Sequence, residues 1–470
     1  MEFRCCFSRE ASFKWFIVAT IGFLLRSDHL GVTSIVREFQ TSSDLFYENL
    51  IHFFHSTSWT LSKLQNKWLE IVRNSGNIYD AFGKPLIIGD GVKKPKEGKY
   101  MPGVKKTHFE SGNSSKRQYY MAHLFGALGI VVGNKYKQFC APISMTIQDG
   151  CQPILEWIES EYAKDSHVTC LVRQACKAAA HMCKECFLLL DCYFLSEAAL
   201  IAMAEEAQKA GKAFVNMITK AKTDYVAFEK PGKFKNGKSR KIGKKIKLRD
   251  LFTDKINDFV SVDLTLYGKI QTVQYYCVNL LWGRNLKQEL RFVLTIYKGK
   301  ANTILVSTDL SLHPEQIIQL YSIRFKIEVL FRAFNQCIAG MGYHFWTKHL
   351  PRLNPFETAK AAAEKLAKIT NPKSKERIIS TYRASECFVM LCCIAIGILQ
   401  LCSLNFTAIL NLSPIRWQRT YTNIVPSEES TRVSMRESFN KLFYKSPNMG
   451  IVKIISEKKE EFGPLYKNTA

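Results

Sequence analysis

The sequence predicts an α/β core interrupted by a mainly antiparallel β insert and flanked by helical regions, and three observations carry this. Two short apolar runs, PLIIGD (Pro85–Asp90) and FLLLD (Phe187–Asp191), each end on a carboxylate. The second is followed by a Ser-capped helical pattern, SEAALIAMAEEAQKA, and then by another strand-like run, AFVNMIT. Strands alternating with helices point to an α/β sheet, whose ligands sit beyond the carboxyl ends of its strands. Finally, four strand-like runs, FVSVDLTLYG, TVQYYCVNLLWG, LRFVLTIYKG and ANTILVSTD, follow one another between Phe259 and Asp309 with no helical pattern between them. This reads as an antiparallel insert.

The elements in order give the expected organisation. Residues 1–80 carry apolar positions at threes and fours (FKWFIVATIGFLL, VTSIVREF, SDLFYENLIHFFH, TLSKLQNKWLEIV), several of them behind Ser, Thr or Asp caps. They read as a helical N-terminal domain, a scaffold or a binder of DNA ends. Residues 81–225 hold the first part of the core. Its opening strand takes a proline at its start, where a missing N–H is tolerated. FGALGIVVG and QFCAPISMTI are further strands, and Ile154–Cys183 a helix. Residues 226–309 are the β insert. Residues 310–350 hold a long helix behind Pro314, EQIIQLYSIRFKIEVLFRAFNQ. Residues 351–425 form a C-terminal helical region, and 426–470 a polar, partly disordered tail.

Composition narrows the partners. There are 66 basic and 41 acidic side chains, a formal net charge of +25, which favours nucleic acid or another anionic surface. The segment 230–249 (KPGKFKNGKSRKIGKKIKLR) has ten basic residues, three glycines and no acid. No core can be built from it, and a mobile loop of this kind suits phosphate contact, which positions DNA without reading it. The 15 cysteines are odd in number and without the rhythm of a secreted scaffold, so they read as reduced thiols. A zinc site at HMCKEC lacks a clean second Cys-x-x-Cys. The apolar run Cys387–Leu404 reaches the minimum length of a membrane span, but it reads as a buried core helix because Arg383 and Glu386 precede it and no aromatic belts flank it.

Polar residues on the long helix are not scattered. Tyr321, Arg324, Glu328, Arg332 and Asn335 fall on one stripe of a 3.6-residue helix, beside Ile323, Ile327, Leu330, Phe331 and Phe334. A surface ladder of arginine and glutamate would have the same spacing. With Asp90 and Asp191, Glu328 makes three acidic residues at strand ends and on a helix. Hard divalent cations take oxygen ligands of this type, and two ions sharing a carboxylate serve phosphodiester chemistry.

Together, LIIGDG, LLLDCYF and YSIRFKIEVLFR resemble the DDE transposases of bacterial insertion sequences, in the group with a Tyr-Arg-Glu-Lys signature around the last carboxylate. GDGVKKPKEGKYMPGVKKTHFESGNSSK and STDLSLHPEQIIQLYSIRFKIEVLFRAFNQ resemble the local sequence of that group. The resemblance spans roughly residues 10–425, and the intervals of 101 residues from Asp90 to Asp191 and 137 from Asp191 to Glu328 leave room for the β insert.

What the resemblance implies is a ribonuclease-H-like core in which Asp90, Asp191 and Glu328 hold two Mg²⁺ or Mn²⁺ ions. Water then attacks the transposon-end phosphodiester, and the freed 3′-hydroxyl makes a hairpin and later joins target DNA. It implies double-stranded DNA as partner (terminal inverted repeats and target), a homodimer on paired ends, no membrane, and a cytoplasmic, nucleoid-associated bacterial location. Tyr321 and Arg324 match the phosphate-gripping Tyr and Arg. Asn335 stands where the signature has lysine, a departure that Arg332 would have to make good, since an amide supplies no charge. Lys93, Lys94, Lys96 and Lys99 would line the DNA path. Trp282 would stack on a flipped base, or else be a buried tryptophan. The competing reading is a catalytically inactive, transposase-derived DNA-binding protein.

Overall fold

A computed structural model describes residues 2–28, 31–39, 44–96, 98–108, 118–231, 243–297, 302–354, 357–408, 410 and 425–462. Most of the basic segment 230–249, residues 232–242, lies outside them. The described strands are β1 (Asp80–Ala81), β2 (Lys84–Pro95), β3 (Lys105–His108), β4 (Tyr119–Gly133), β5 (Gln138–Asp149), β6 (Cys186–Leu189), β7 (Val215–Ala221), β8 (Val226–Phe228), β9 (Lys245–Lys247), β10 (Val260–Leu266), β11 (Lys269–Trp282), β12 (Gln288–Tyr297) and β13 (Thr303–Ser307). The protein is mixed α/β, as expected. It divides into two compact units, each assembled from separated stretches of chain: Met1–Ile78, Gly91–His167 and Glu328–Ala470 in the first, Tyr79–Asp90 and Val168–Ile327 in the second.

In the second unit, the first half of β2 pairs in parallel with β6, and β6 in parallel with β7. Their residues Leu86, Ile87, Ile88, Phe187, Leu188 and Leu189 are all buried, the near-continuous apolar run expected of parallel strands covered on both faces. The helix Glu197–Lys209 lies between β6 and β7, with Ser196 Oγ accepting from Ala199 N at 3.2 Å as its N-cap. β13 then joins β7 antiparallel, followed by β12, β11 and β10 in a run of hairpin-type pairings. The predicted antiparallel strands are therefore present, but they continue the sheet of the parallel strands through β7 and do not stand apart from it.

In the first unit, β4 pairs antiparallel with β3 and β5 and neighbours β2 in the sheet order. The core is built on one 34-residue helix, Pro372–Asn405. Cys387 through Gly397 is buried without interruption, so this apolar stretch is a core helix, although it is long and apolar enough to cross a membrane. Against it pack β5 and the helices Glu10–Leu25, Asp44–His55, Leu61–Asn74 and Glu428–Lys445.

Two boundaries expected from the sequence need correction. Residues 1–80 are not a domain of their own, because their helices bury their apolar faces on a helix more than 300 residues further along the chain. The tail 426–470 is folded as far as it is described. It forms the helices Glu428–Lys445 and Gly450–Phe462, and Val452 and Ile455 are buried. All 15 cysteines are free.

A buried carboxyl group sits in this unit. The Glu386 carboxylate accepts from Ile147 N at 2.9 Å and lies 3.1 Å from the Tyr382 hydroxyl. Burial outweighs both contacts and pushes its pKa up to about 7. Between its ordinary value near 4.5 and about 7, the folded chain keeps a proton that the unfolded chain has released. Stability therefore falls as pH rises through that window. Glu386→Gln keeps an acceptor oxygen without the charge. Its stability is expected to gain on the wild type between about pH 4.5 and about pH 7, by on the order of 3 kcal/mol, and to keep that gain above pH 7, read from melting temperatures across the range. A difference independent of pH would overturn this.

Candidate active site

The two aspartates are brought level by strand register. Leu86, Ile87 and Ile88 of β2 face Phe187, Leu188 and Leu189 of β6, so two residues further along, Asp90 stands beside Asp191. Neighbouring strands lie about 4.8 Å apart, and register partners point to the same face. The equal spacing from strand to carboxylate in LIIGD and FLLLD thus becomes an equal height above the sheet. Both carboxylates are half-buried.

The register extends to a third strand. Leu189 pairs with Ile218 of β7, which brings Lys220 level with Asp191. This lysine was not singled out from the sequence. Its signal was the strand-like AFVNMIT running on into a lysine, the same apolar-then-charged ending as the two aspartate strands. Lys220 Nζ lies 5.2 Å from the ring centroid of Tyr321. Thr219, on the same strand, donates its hydroxyl to the Asp191 main-chain oxygen at 2.8 Å and fixes the turn that follows β6.

The chain after β13 supplies the counter-groups. Gln316 Oε1 accepts from His313 N at 2.9 Å at the start of the helix Pro314–Ile323, and its last turn carries Tyr321. The Tyr321 hydroxyl reaches Asp191 Oδ1 at 3.5 Å, a long contact. Burial pushes the phenol well up from its ordinary value, so it stays protonated and donates. Arg324 Nη1 stands 3.3 Å from Asp90 Oδ2, with both side chains largely shielded. The residues expected to grip phosphates are therefore turned onto the two aspartates. Cys192 Sγ lies 3.8 Å from Asp191 Oδ2, and burial, then the Asp191 charge, raises its pKa, which keeps it a thiol.

The expected single helix is interrupted. It runs Pro314–Ile323 and resumes as Lys326–Gln336, with Arg324 N bonded to Tyr321 O at 3.1 Å and Ile327 N to Arg324 O at 3.2 Å. These three-residue bonds tighten the chain at Arg324–Phe325. The five-residue stripe is therefore split, with Tyr321 before the break, Arg324 in it, and Glu328, Arg332 and Asn335 after it. Glu328 opens the part of the chain that belongs to the first unit and is exposed, as is Arg332. Asn335 donates its amide to Phe331 O of its own helix at 2.9 Å. Among the described residues, no three His, Cys, Asp or Glu side chains gather into a group able to hold a metal ion.

No family model matches the chain, and no curated protein matches it. Among solved structures it is similar to a piggyBac transposase synaptic complex with hairpin DNA, at 9% identity and a TM-score of 0.33, over 98% of this chain and 77% of that chain. At that score the likeness assigns neither fold nor family.

Besides Tyr321, which is 7% exposed, two further residues expected to touch DNA lie inside the protein. Lys96 is 6% exposed. Its ammonium donates to the main-chain oxygens of Met341 at 2.9 Å and Tyr343 at 2.7 Å and sits 3.5 Å above the Tyr343 ring. Its charge is spent on the protein's own carbonyls, and burial lowers its pKa to about 7. Trp282 is 8% exposed and stacks on Tyr225 at 5.9 Å, closing the end of β11. In this conformation it is a core side chain of the insert. Lys93 and Lys94 are half-buried and Lys99 is exposed.

Proposed function

We propose that the protein is a DDE-type transposase, a metal-dependent enzyme that cleaves transposon-end DNA and transfers the freed strand. The observation that carries the reading is the alignment of Asp90 and Asp191 on neighbouring parallel strands, with Arg324 and Tyr321 turned onto them. The strand pairings agree with a ribonuclease-H-like core: β5 with β4, β4 beside β2, β2 with β6, and β6 with β7. β4 and β5 are antiparallel, while β2, β6 and β7 are parallel.

Two level carboxylates are hard oxygen donors that suit Mg²⁺ or Mn²⁺, with Glu328 the third ligand that the resemblance implies. Such ions, when bound, activate water and stabilise the departing 3′ oxygen. The chain itself supplies the rest. Arg324 and Lys220 offset the repulsion of two adjacent carboxylates and remain as cations for a phosphate. Tyr321, kept neutral, donates a hydrogen bond without adding charge. The surplus of +25 favours a polyanionic partner, here double-stranded DNA with terminal inverted repeats and target, bound by a homodimer on paired ends inside a bacterial cell.

The test is cleavage of a labelled duplex carrying the element's own terminal repeat, with and without Mg²⁺ or Mn²⁺. Metal-dependent nicking at the repeat end, with a hairpin among the products, is the expected result. Specific end binding without cleavage would instead favour the inactive DNA-binding protein, a reading that the self-bonded Asn335 supports.

A further inference from the structure

The first unit carries a second feature that the catalytic reading leaves unused. The segment Met341–Leu350 alternates strictly for most of its length: Met341, Tyr343, Phe345 and Thr347 are buried, while His344, Trp346 and Lys348 face out. This is the period of an extended chain held against a core. Trp346 is 65% exposed, an unusual position for an indole, and Tyr100 nearby is 38% exposed. The two rings do not hang on loose chain. Thr347 N donates to Tyr100 O at 3.0 Å and Leu353 N to Lys99 O at 2.8 Å, while the buried Lys96 ammonium ties down Met341 and Tyr343 from below. Between the segments runs an open groove of about 670 Å³ lined by Lys94, Lys99, Tyr100, His344 and Trp346. No acidic side chain is among its described lining residues.

We propose that this groove holds an unpaired stretch of DNA strand, with a base stacked on Trp346 and the adjoining phosphates on Lys94 and Lys99. Rigid exposed aromatics beside lysines are what single-strand recognition uses, because every base has a π-face and every linkage a charge. A duplex, whose bases are already stacked, would meet only the lysines. The proposal rests on the reading of DNA as partner, but not on the carboxylates.

The test uses the full chain and fluorescein-labelled oligothymidine, compared with a blunt duplex of the same length, by anisotropy. Trp346→Ala is expected to weaken oligothymidine binding about tenfold and leave the duplex unchanged, with Trp346→Tyr restoring most of the loss. Lys94→Ala with Lys99→Ala is expected to weaken both ligands and flatten the salt dependence by one to two ions. Trp346 and Lys99 are exposed and Lys94 is half-buried, so the melting temperature should hold. Unchanged oligothymidine binding in Trp346→Ala would overturn the proposal. So would equal competition by polyglutamate, insensitive to Trp346, which would mark a merely anion-attracting face. If end cleavage is intact and Trp346→Ala is silent, the groove assignment fails alone. If oligothymidine binding depends on Trp346 but no metal-dependent cleavage occurs, the catalytic reading fails alone.

Discussion

Asp191→Asn is expected to remove metal-dependent cleavage of the terminal repeat by at least about a thousandfold, roughly 4 kcal/mol of barrier. The substitution is nearly isosteric. The bond from the Thr219 hydroxyl goes to the Asp191 main-chain oxygen and survives, as do the buried strands on either side. What is lost is one of two anions standing side by side, and with it half of the charge that would draw a divalent cation. Binding of the repeat and the melting temperature should stay within error of the wild type, or the melting temperature should rise slightly as repulsion with Asp90 is relieved. Cleavage that persists at wild-type rate in the variant would remove Asp191 from the site and the proposed function with it.

The second large effect concerns stability. Trp68→Ala is expected to cost the first unit about 3–5 kcal/mol, read as a shift in denaturant midpoint at unchanged slope. Trp68 is fully buried, donates its indole N–H to Pro142 O at 2.8 Å and stacks near Phe3. Its ring also lies where Gly397 leaves room: a Cβ added at Gly397 would stand 2.2 Å from Trp68 Cζ2. The glycine in the middle of the long helix is therefore a docking notch for the indole. Truncating the ring leaves a cavity and an unpaired Pro142 carbonyl together. A loss below 1 kcal/mol would mean that the helices close over the gap.

Part of the candidate site was legible in the sequence, because a short apolar run ended by a carboxylate is a local signal. The level placement of Asp90 and Asp191 could be read that way, and so could the four strands before Asp309 and the buried helix around Cys392. What stayed hidden was set by distant contacts. Lys93, Lys94, Lys96 and Lys99 look alike along the chain, yet Lys96 alone is buried under Tyr343, more than 240 residues away. The break at Arg324–Phe325 has no glycine or proline to announce it. Lys220 acquired meaning only through the register of β7 on β6. The last helices were masked by their charge, although Val452 and Ile455 are spaced as a buried helical pair.

The interleaving of the units has a consequence at the ribosome. The helix Glu10–Leu25 emerges early, with Phe13, Phe16 and Phe23 destined for burial. The helix that covers it begins at Pro372, about 350 residues later, which at roughly 5–20 residues per second is a wait of roughly 20–70 s. Throughout that interval the nascent chain carries an apolar surface that its long partner helix does not yet cover. A gene copy interrupted anywhere before Pro372 should therefore yield an insoluble fragment, not a folded competitor for DNA. Damage that removes the chain from Pro372 onward would then silence the protein as completely as damage to the carboxylates.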